Sequence, residues 1–329
     1  MRKLLLANLL LLLFALSGSA QQDPMFTKYM FNSLVFNPAY AGAKDHMSVT
    51  LLHRDQWWGM EGAPATQSFT MHSPLEGDKV GLGMSIVRDE IGVTNTLSAM
   101  GSYAYRMQLG AGKLCLGLQA GVLNWRADFT KLTINNSADP SFMNNMTPNM
   151  WLPNVGAGLH YYIPNKFYIG VSAPHMLQVP LREEYGGIPV MAQQYRHYYL
   201  FAGGAIPLSA SLVFKPSLLI KNVGLFGEFQ PNNLIGAPTE FDIDLSLLIY
   251  DALWVGVAFR SAFEGFNNVS SMDSGDIWVS YYLRNGFRIG AAYDYTLTDL
   301  RPFAQGSYEL MLGYEMNYKT KQIVTPRYF

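Results

Sequence analysis

The strongest constraint in this chain is a period of two. Val80, Leu82, Met84 and Ile86 alternate with Gly81, Gly83 and Ser85. Leu114, Leu116, Leu118, Ala120 and Val122 alternate with Cys115, Gly117, Gln119 and Gly121. The beat recurs in Phe241, Ile243, Leu245, Leu247 and Ile249 against Asp242, Asp244 and Ser246. It returns in Phe287, Ile289, Ala291, Tyr293 and Tyr295 against Arg288, Gly290, Ala292 and Asp294. A last run sets Leu310, Leu312, Tyr314, Met316 and Tyr318 against Glu309, Gly313, Glu315 and Asn317. Strand side chains point alternately to two faces, so each run is a strand with one apolar face. A half-buried soluble sheet also alternates. Two features favour a membrane: the runs approach the roughly ten residues of a tilted transmembrane strand, and their opposite face suits a polar lumen.

No later stretch suits a spanning helix. The best, 243–263, is broken by Asp244, Asp251 and Arg260. Lipid leaves open sheet edges unsatisfied, so spanning strands must close into a barrel. Charged residues make up only 14% of the chain, against about 25% in average soluble proteins. Aromatics also reach 14%. The net charge of −1 carries no nucleic-acid footprint.

The predicted fold is therefore all-β: a transmembrane antiparallel outer-membrane β-barrel of about 14 strands, an even number as bacterial barrels have. The strands are placed near 46–54, 65–73, 79–89, 95–107, 112–124, 153–163, 165–174, 195–206, 211–222, 240–250, 252–262, 274–284, 286–296 and 306–318. The segment 211–222 is the weakest, because Pro216 removes a ladder hydrogen bond. Connections alternate between tight ones, such as Pro164, Asp251 and Asn285 alone, and long ones, such as 125–152 and 223–239; the gap near 90–94 is a short exception. Short periplasmic turns and long outer loops form the outer-membrane pattern, which puts both termini in the periplasm.

Met1-Arg2-Lys3, an apolar run from Leu4 to Leu16 and then Ser17-Gly18-Ser19-Ala20 read as a signal peptide over 1–20. The run is too short for a spanning anchor, which needs roughly 20 residues. The single Cys115 forms no internal disulfide. The expected organisation is a periplasmic or plug-like segment at 21–45, a barrel at 46–318 and a periplasmic tail at 319–329.

No converging catalytic set is visible. The six His residues are scattered without metal-ligand spacing, and no phosphate loop occurs. No cofactor or metal is expected. Lys215, Asp242, Asp244, Arg260, Arg284, Arg288, Asp294, Glu309 and Glu315 fall on the predicted inner face. Their mixed signs suit pairing with one another or with a plug better than a selectivity ring of one sign.

Two motifs stand apart. Arg54-Asp55-Gln56-Trp57-Trp58-Gly59 lies where the first strand meets the first long loop. Spacing alone favours an aromatic girdle at the headgroups, while exposed Trp and Arg also suit a docking or plug-clamping patch. Asn37-Pro38-Ala39-Tyr40-Ala41-Gly42 is turn chemistry. Phe26, Tyr29, Met30, Phe31, Leu34 and Phe36 precede it, too apolar for a free linker, so this segment packs inside the barrel or on a periplasmic partner.

These residues resemble the PorP/SprF family of Bacteroidetes. The likeness runs over Gln22-Asp23-Pro24-Met25-Phe26-Thr27-Lys28-Tyr29-Met30-Phe31-Asn32 and Asn37 to Gly42, then Arg54 to Gly59, and Gly62-Ala63-Pro64-Ala65-Thr66-Gln67. It continues in Val80-Gly81-Leu82-Gly83, Asp89 and Ile91-Gly92, and returns in Pro326-Arg327-Tyr328-Phe329. The resemblance implies an outer-membrane barrel of the type IX secretion system. Some members belong to the core secretion set; others pair with a large surface adhesin and serve its export or attachment in gliding. The implied partners are type IX components or such an adhesin, besides outer-membrane lipid. Phe31, Asn37, Pro38, Tyr40 and Gly42, with Arg54, Gln56, Trp57, Trp58 and Gly59, are the candidate partner-binding or plug residues. A non-catalytic accessory leads; a porin-like solute channel is the alternative, and a lipid enzyme at the rim a distant third.

Overall fold

A computed structural model describes residue 24 and residues 26–44, 46–75, 78–132, 147–178, 195–223, 239–262 and 272–316. The expected signal peptide at 1–20 and tail at 319–329 lie outside the described residues.

Fourteen antiparallel strands close into one barrel. They are β1 (Met47–Asp55), β2 (Ala65–Pro74), β3 (Val80–Ile91), β4 (Thr94–Leu109), β5 (Gly112–Ala127), β6 (Asn149–Ile163) and β7 (Phe167–His175). Next come β8 (His197–Gly204, resumed as Ile206–Ser209), β9 (Leu212–Val223), β10 (Glu240–Ile249), β11 (Leu253–Ala262), β12 (Met272–Tyr282), β13 (Phe287–Thr296) and β14 (Ser307–Met316). Neighbours in sequence are neighbours in the sheet, and β1 closes the ring on β14 from Met47↔Met316 to Asp55↔Tyr308. Closure removes every sheet edge, which lipid requires. Each predicted strand has its counterpart. The lapse in β8 falls opposite Pro216, whose pairing with Leu245 of β10 is kept. There the proline has no N–H to donate.

The turns follow from their residues. Tyr250 and Asp251 both have φ near +51°, and Gly110 has φ +59°. Backbones of that hand match the twist of a tight hairpin. The tight turns gather at one end of the barrel and the longer connections at the other, apart from the two-residue link Gly92-Val93. Strand alternation sets the two surfaces. Leu118, Ile277, Leu310 and Ile289 face outward, while Thr50, Ser68, Asp244, Arg260 and Glu309 are buried inside.

Residues 26–44 are not outside this wall but within it. A single turn at Tyr29–Phe31, a short helix α1 (Ser33–Phe36) and another turn at Pro38–Tyr40 carry the chain through the lumen.

Candidate functional site

The site is the contact between this lumenal segment and the inner wall. At the long-connection end, both oxygens of Glu309 accept backbone N–H groups, from Thr27 at 2.8 Å and Lys28 at 2.9 Å. The Thr27 hydroxyl lies 2.7 Å from Asp294 and accepts from Arg54 Nη1 at 2.6 Å. Arg54 itself meets Asp294 at 2.6 Å and Glu309 at 3.6 Å. Lys28 Nζ is buried without a hydrogen-bond partner.

Midway, Phe31 packs edge-on between Trp254 and Trp278 at 5.3 and 5.5 Å, with the Arg288 guanidinium 4.4 Å from its ring. Such ring contacts contribute about 0.5–1.5 kcal/mol each beyond their buried area. Asn32 donates to Ser68 and accepts from Thr70, at 2.9 and 3.0 Å. Ser172 donates to the Phe36 carbonyl at 2.6 Å. The segment thus bonds to walls on opposite sides.

At the tight-turn end the Asn37–Gly42 motif lies flat on the wall. Asn37 caps its own turn, accepting from Ala39 N–H at 2.8 Å, and donates to the Leu159 carbonyl at 2.9 Å. This needs bare wall backbone. A Cβ at Gly117 would stand 2.0 Å from Ala39 N, one at Gly81 2.1 Å from the Ala41 oxygen, and one at Gly158 2.1 Å from Asn37 Oδ1. The three glycines form a track for the segment's backbone. Gly42 has φ +65°; its N–H donates to His72 and its carbonyl accepts from Arg106. Tyr40 stands edge-on to His72 and His160. Lys44 leaves the lumen paired with Glu315 at 2.8 Å.

Phe31, Asn37, Pro38, Tyr40 and Gly42 are therefore brought together inside the barrel. Arg54 joins them, so it separates from the rest of its motif. Gln56, Trp57, Trp58 and Gly59 form the first loop, whose backbone is pinned to the loop before β14: Trp58 N–H donates to Gly306 O at 2.7 Å, and Gln305 N–H to Trp58 O at 2.8 Å. Trp58 is half exposed and edge-on to Tyr308 at 5.6 Å. Of the predicted lumen charges, Lys215, Asp242, Asp244, Arg260, Arg288, Asp294, Glu309 and Glu315 are buried in the interior. Arg260 meets Asp242 at 2.7 Å, Trp278 donates to Asp244 at 2.5 Å, and Lys215 lies 4.1 Å above the Trp254 ring. Arg284 is a correction: β12 ends at Tyr282, and Arg284 sits exposed in the following turn. His72, Arg106 and Asp276 were missed, though each falls on the inward phase of its strand. Thr27 and Lys28 carry no periodic signal; only the family motif from Gln22 to Asn32 includes them.

The expectation that both termini face the periplasm concerns residues outside the described ones. The first described residues lie at the long-connection end, and the segment runs from there to the tight-turn end before entering β1. Among the described residues no cluster of three or more His, Cys, Asp or Glu could hold a metal, and no helix is long and apolar enough to cross a membrane.

Comparison with known proteins agrees with this architecture. A search of curated proteins finds no match. Among solved structures, the CymD monoaromatic hydrocarbon channel superposes with TM-score 0.50 at 12% identity, over 88% of this chain and 94% of that one. The Ralstonia pickettii toluene transporter TbuX gives 0.48 at 13%, over 87% and 93%. The Acinetobacter baumannii outer membrane protein Omp33 gives 0.44 at 9%, over 84% and 100%. At 12% identity the likeness to CymD is one of fold alone. The family described as type IX secretion system membrane protein PorP/SprF matches residues 18–314, and the chain belongs to it.

Proposed function

We propose that this PorP/SprF barrel is a plugged, non-catalytic accessory of type IX secretion that supports export or surface attachment of a large partner protein. The observation that carries the reading is the lumenal segment. Residues 26–44 bond to strands around the ring through Glu309, Ser68, Leu159 and Ser172. A polypeptide has no route past that packing, so a partner docks on the outside of the barrel instead of passing through it. The pinned loops at Trp57–Trp58 and Gln305–Gly306 supply a rigid aromatic edge for such docking. In this reading the long connections face the medium and the tight turns the periplasm, as in outer-membrane barrels generally.

Quantitative proteomics of cell surface and medium, with and without the gene, tests this. Loss of one or a few surface proteins supports a cargo-dedicated accessory. Collapse across many cargos marks a core component instead. An unchanged surface and medium removes the secretion reading and leaves the solute channel, which stable open conductance of the pure protein in a planar bilayer would support.

A further inference from the structure

The outward face of β13 and β14 changes character near the long-connection end. Lower down it is aliphatic, with Ile289, Leu310 and Leu312 exposed. Above them stand Tyr293 and Tyr295 of β13 and Tyr308 of β14, with Tyr293 and Tyr308 paired in the ladder. Tyr308 pairs in turn with Asp55 of β1, whose carboxylate meets His53 on the same outward face at 3.0 Å. Charge on the lipid-facing side is costly at the bilayer middle and nearly free at its surface. The ion pair therefore sets the level: these tyrosines stand where hydrocarbon gives way to headgroups, as interfacial rings do.

A groove of about 380 Å³ opens among these rings, with Arg301, Gln305 and Gly306 of the loop before β14 along its upper side. That loop is folded on itself: Arg301 N–H donates to Thr298 O at 3.0 Å and Ala304 N–H to Leu300 O at 3.1 Å. The Tyr293 hydroxyl donates to the Gln305 carbonyl at 3.1 Å, and its ring rests 5.2 Å from that of Tyr308. The flank is open, since a Cβ at Gly275, opposite Tyr295 in the ladder, would meet only Leu297 at 4.0 Å. A cation stands over the groove. The Arg301 guanidinium lies 4.9 Å above the Tyr295 ring and pairs with no carboxylate among the described residues. Arg88, on the outward face of β3, is by contrast already held by Glu90. Stacking on a ring orients the guanidinium and leaves its N–H fork for a ligand.

We infer that this groove binds one outer-leaflet glycolipid with a phosphorylated sugar head, the class to which lipid A belongs. An occupant here has its tail side against Ile289, Leu310 and Leu312 and its head beneath Arg301, so it is an amphiphile with an anionic head. Arg301 takes the phosphate as a two-pronged donor. Tyr295 and Tyr308, 40% and 41% exposed, line the sugar. Each offers a ring for its C–H face and a hydroxyl for its O–H groups. The groove also exceeds what a phosphate group alone fills. The choice of leaflet rests on the orientation proposed above; the binding itself depends on neither that orientation nor the secretion reading.

The test is native mass spectrometry of the purified, delipidated full-length barrel, titrated with lipid A, with the same lipid stripped of its phosphates, and with phosphatidylethanolamine. Lipid A is expected to give a single saturable adduct. Its dephosphorylated form should bind about tenfold more weakly, the factor a hydrogen bond to a charged group supplies. Arg301→Gln should weaken lipid A by the same factor and leave the dephosphorylated form unchanged, a split that a purely structural role of Arg301 does not produce. Arg301 is exposed and its side chain touches only a ring, so this variant should fold. The probe series on the unaltered protein decides the matter in any case. Dephosphorylated lipid or phosphatidylethanolamine binding as tightly as lipid A would overturn the proposal. So would the lack of any saturable adduct, which would leave the groove to a protein partner.

Discussion

Arg54 of β1 and Asp294 of β13 meet at 2.6 Å across the interior, with both side chains 2% exposed. The strand between them, β14, contributes Glu309, 3.6 Å from the same guanidinium. One cation thus lies between two carboxylates beside the seam where the barrel closes. Removing one partner of a buried pair leaves an uncompensated charge, at a cost of about 3–5 kcal/mol. Arg54→Ala should lower the barrel's urea midpoint by that equivalent. Adding Asp294→Asn and Glu309→Gln should restore much of the loss. A single variant as stable as the parent would show that the ion pair does not hold the seam.

The wall glycines test the plug. Gly158→Ala would put a methyl 2.1 Å from Asn37 Oδ1, and Gly117→Ala would put one 2.0 Å from Ala39 N. Neither wall position strains its own strand, so the barrel should assemble while the segment lifts off. The unaltered protein is expected to be silent in a planar bilayer, and both variants to show conductance. Silence from both variants would mean that the segment stays seated through other contacts.

These glycines also mark how far the sequence could be read. Strand alternation made the barrel and its inward phase legible, because side-chain direction follows directly from the period of two. Gly81 and Gly117 are recognisable as small inward residues, but not as the track under Asn37 to Ala41. That match joins segments far apart in the chain, which periodicity cannot register. The apolar run from Phe26 to Phe36 showed that the segment must pack, yet left the barrel interior and a periplasmic partner equally open. Adjacency groups Arg54 with Trp57 and Trp58, whereas its inward phase on β1 sends it to the opposite side of the wall from Trp58, onto the lumenal segment. Arg284 shows the ordinary uncertainty of strand ends.

The segment's direction predicts accessibility. Pro24 lines the cavity at the long-connection end, whereas Asn165 sits exposed in a tight turn at the other. A cysteine at Pro24→Cys should react with a membrane-impermeant maleimide in intact cells, in a Cys115→Ser background. One at Asn165→Cys should react only after the outer membrane is opened. The reverse pattern would invert the orientation proposed for the barrel.

The first loop separates girdle from docking. Trp58 touches Tyr308 at the outer surface, and its main chain, not its ring, holds the neighbouring loop through Gly306 and Gln305. Truncating the ring removes an edge-on contact of about 0.5–1.5 kcal/mol and leaves those backbone bonds in place. Trp57→Ala with Trp58→Ala should therefore insert normally, and loss of partner co-purification would locate docking at this edge. Lost insertion would instead assign both rings to the headgroup girdle. Retention of insertion and partner together would move the docking surface away from these two rings.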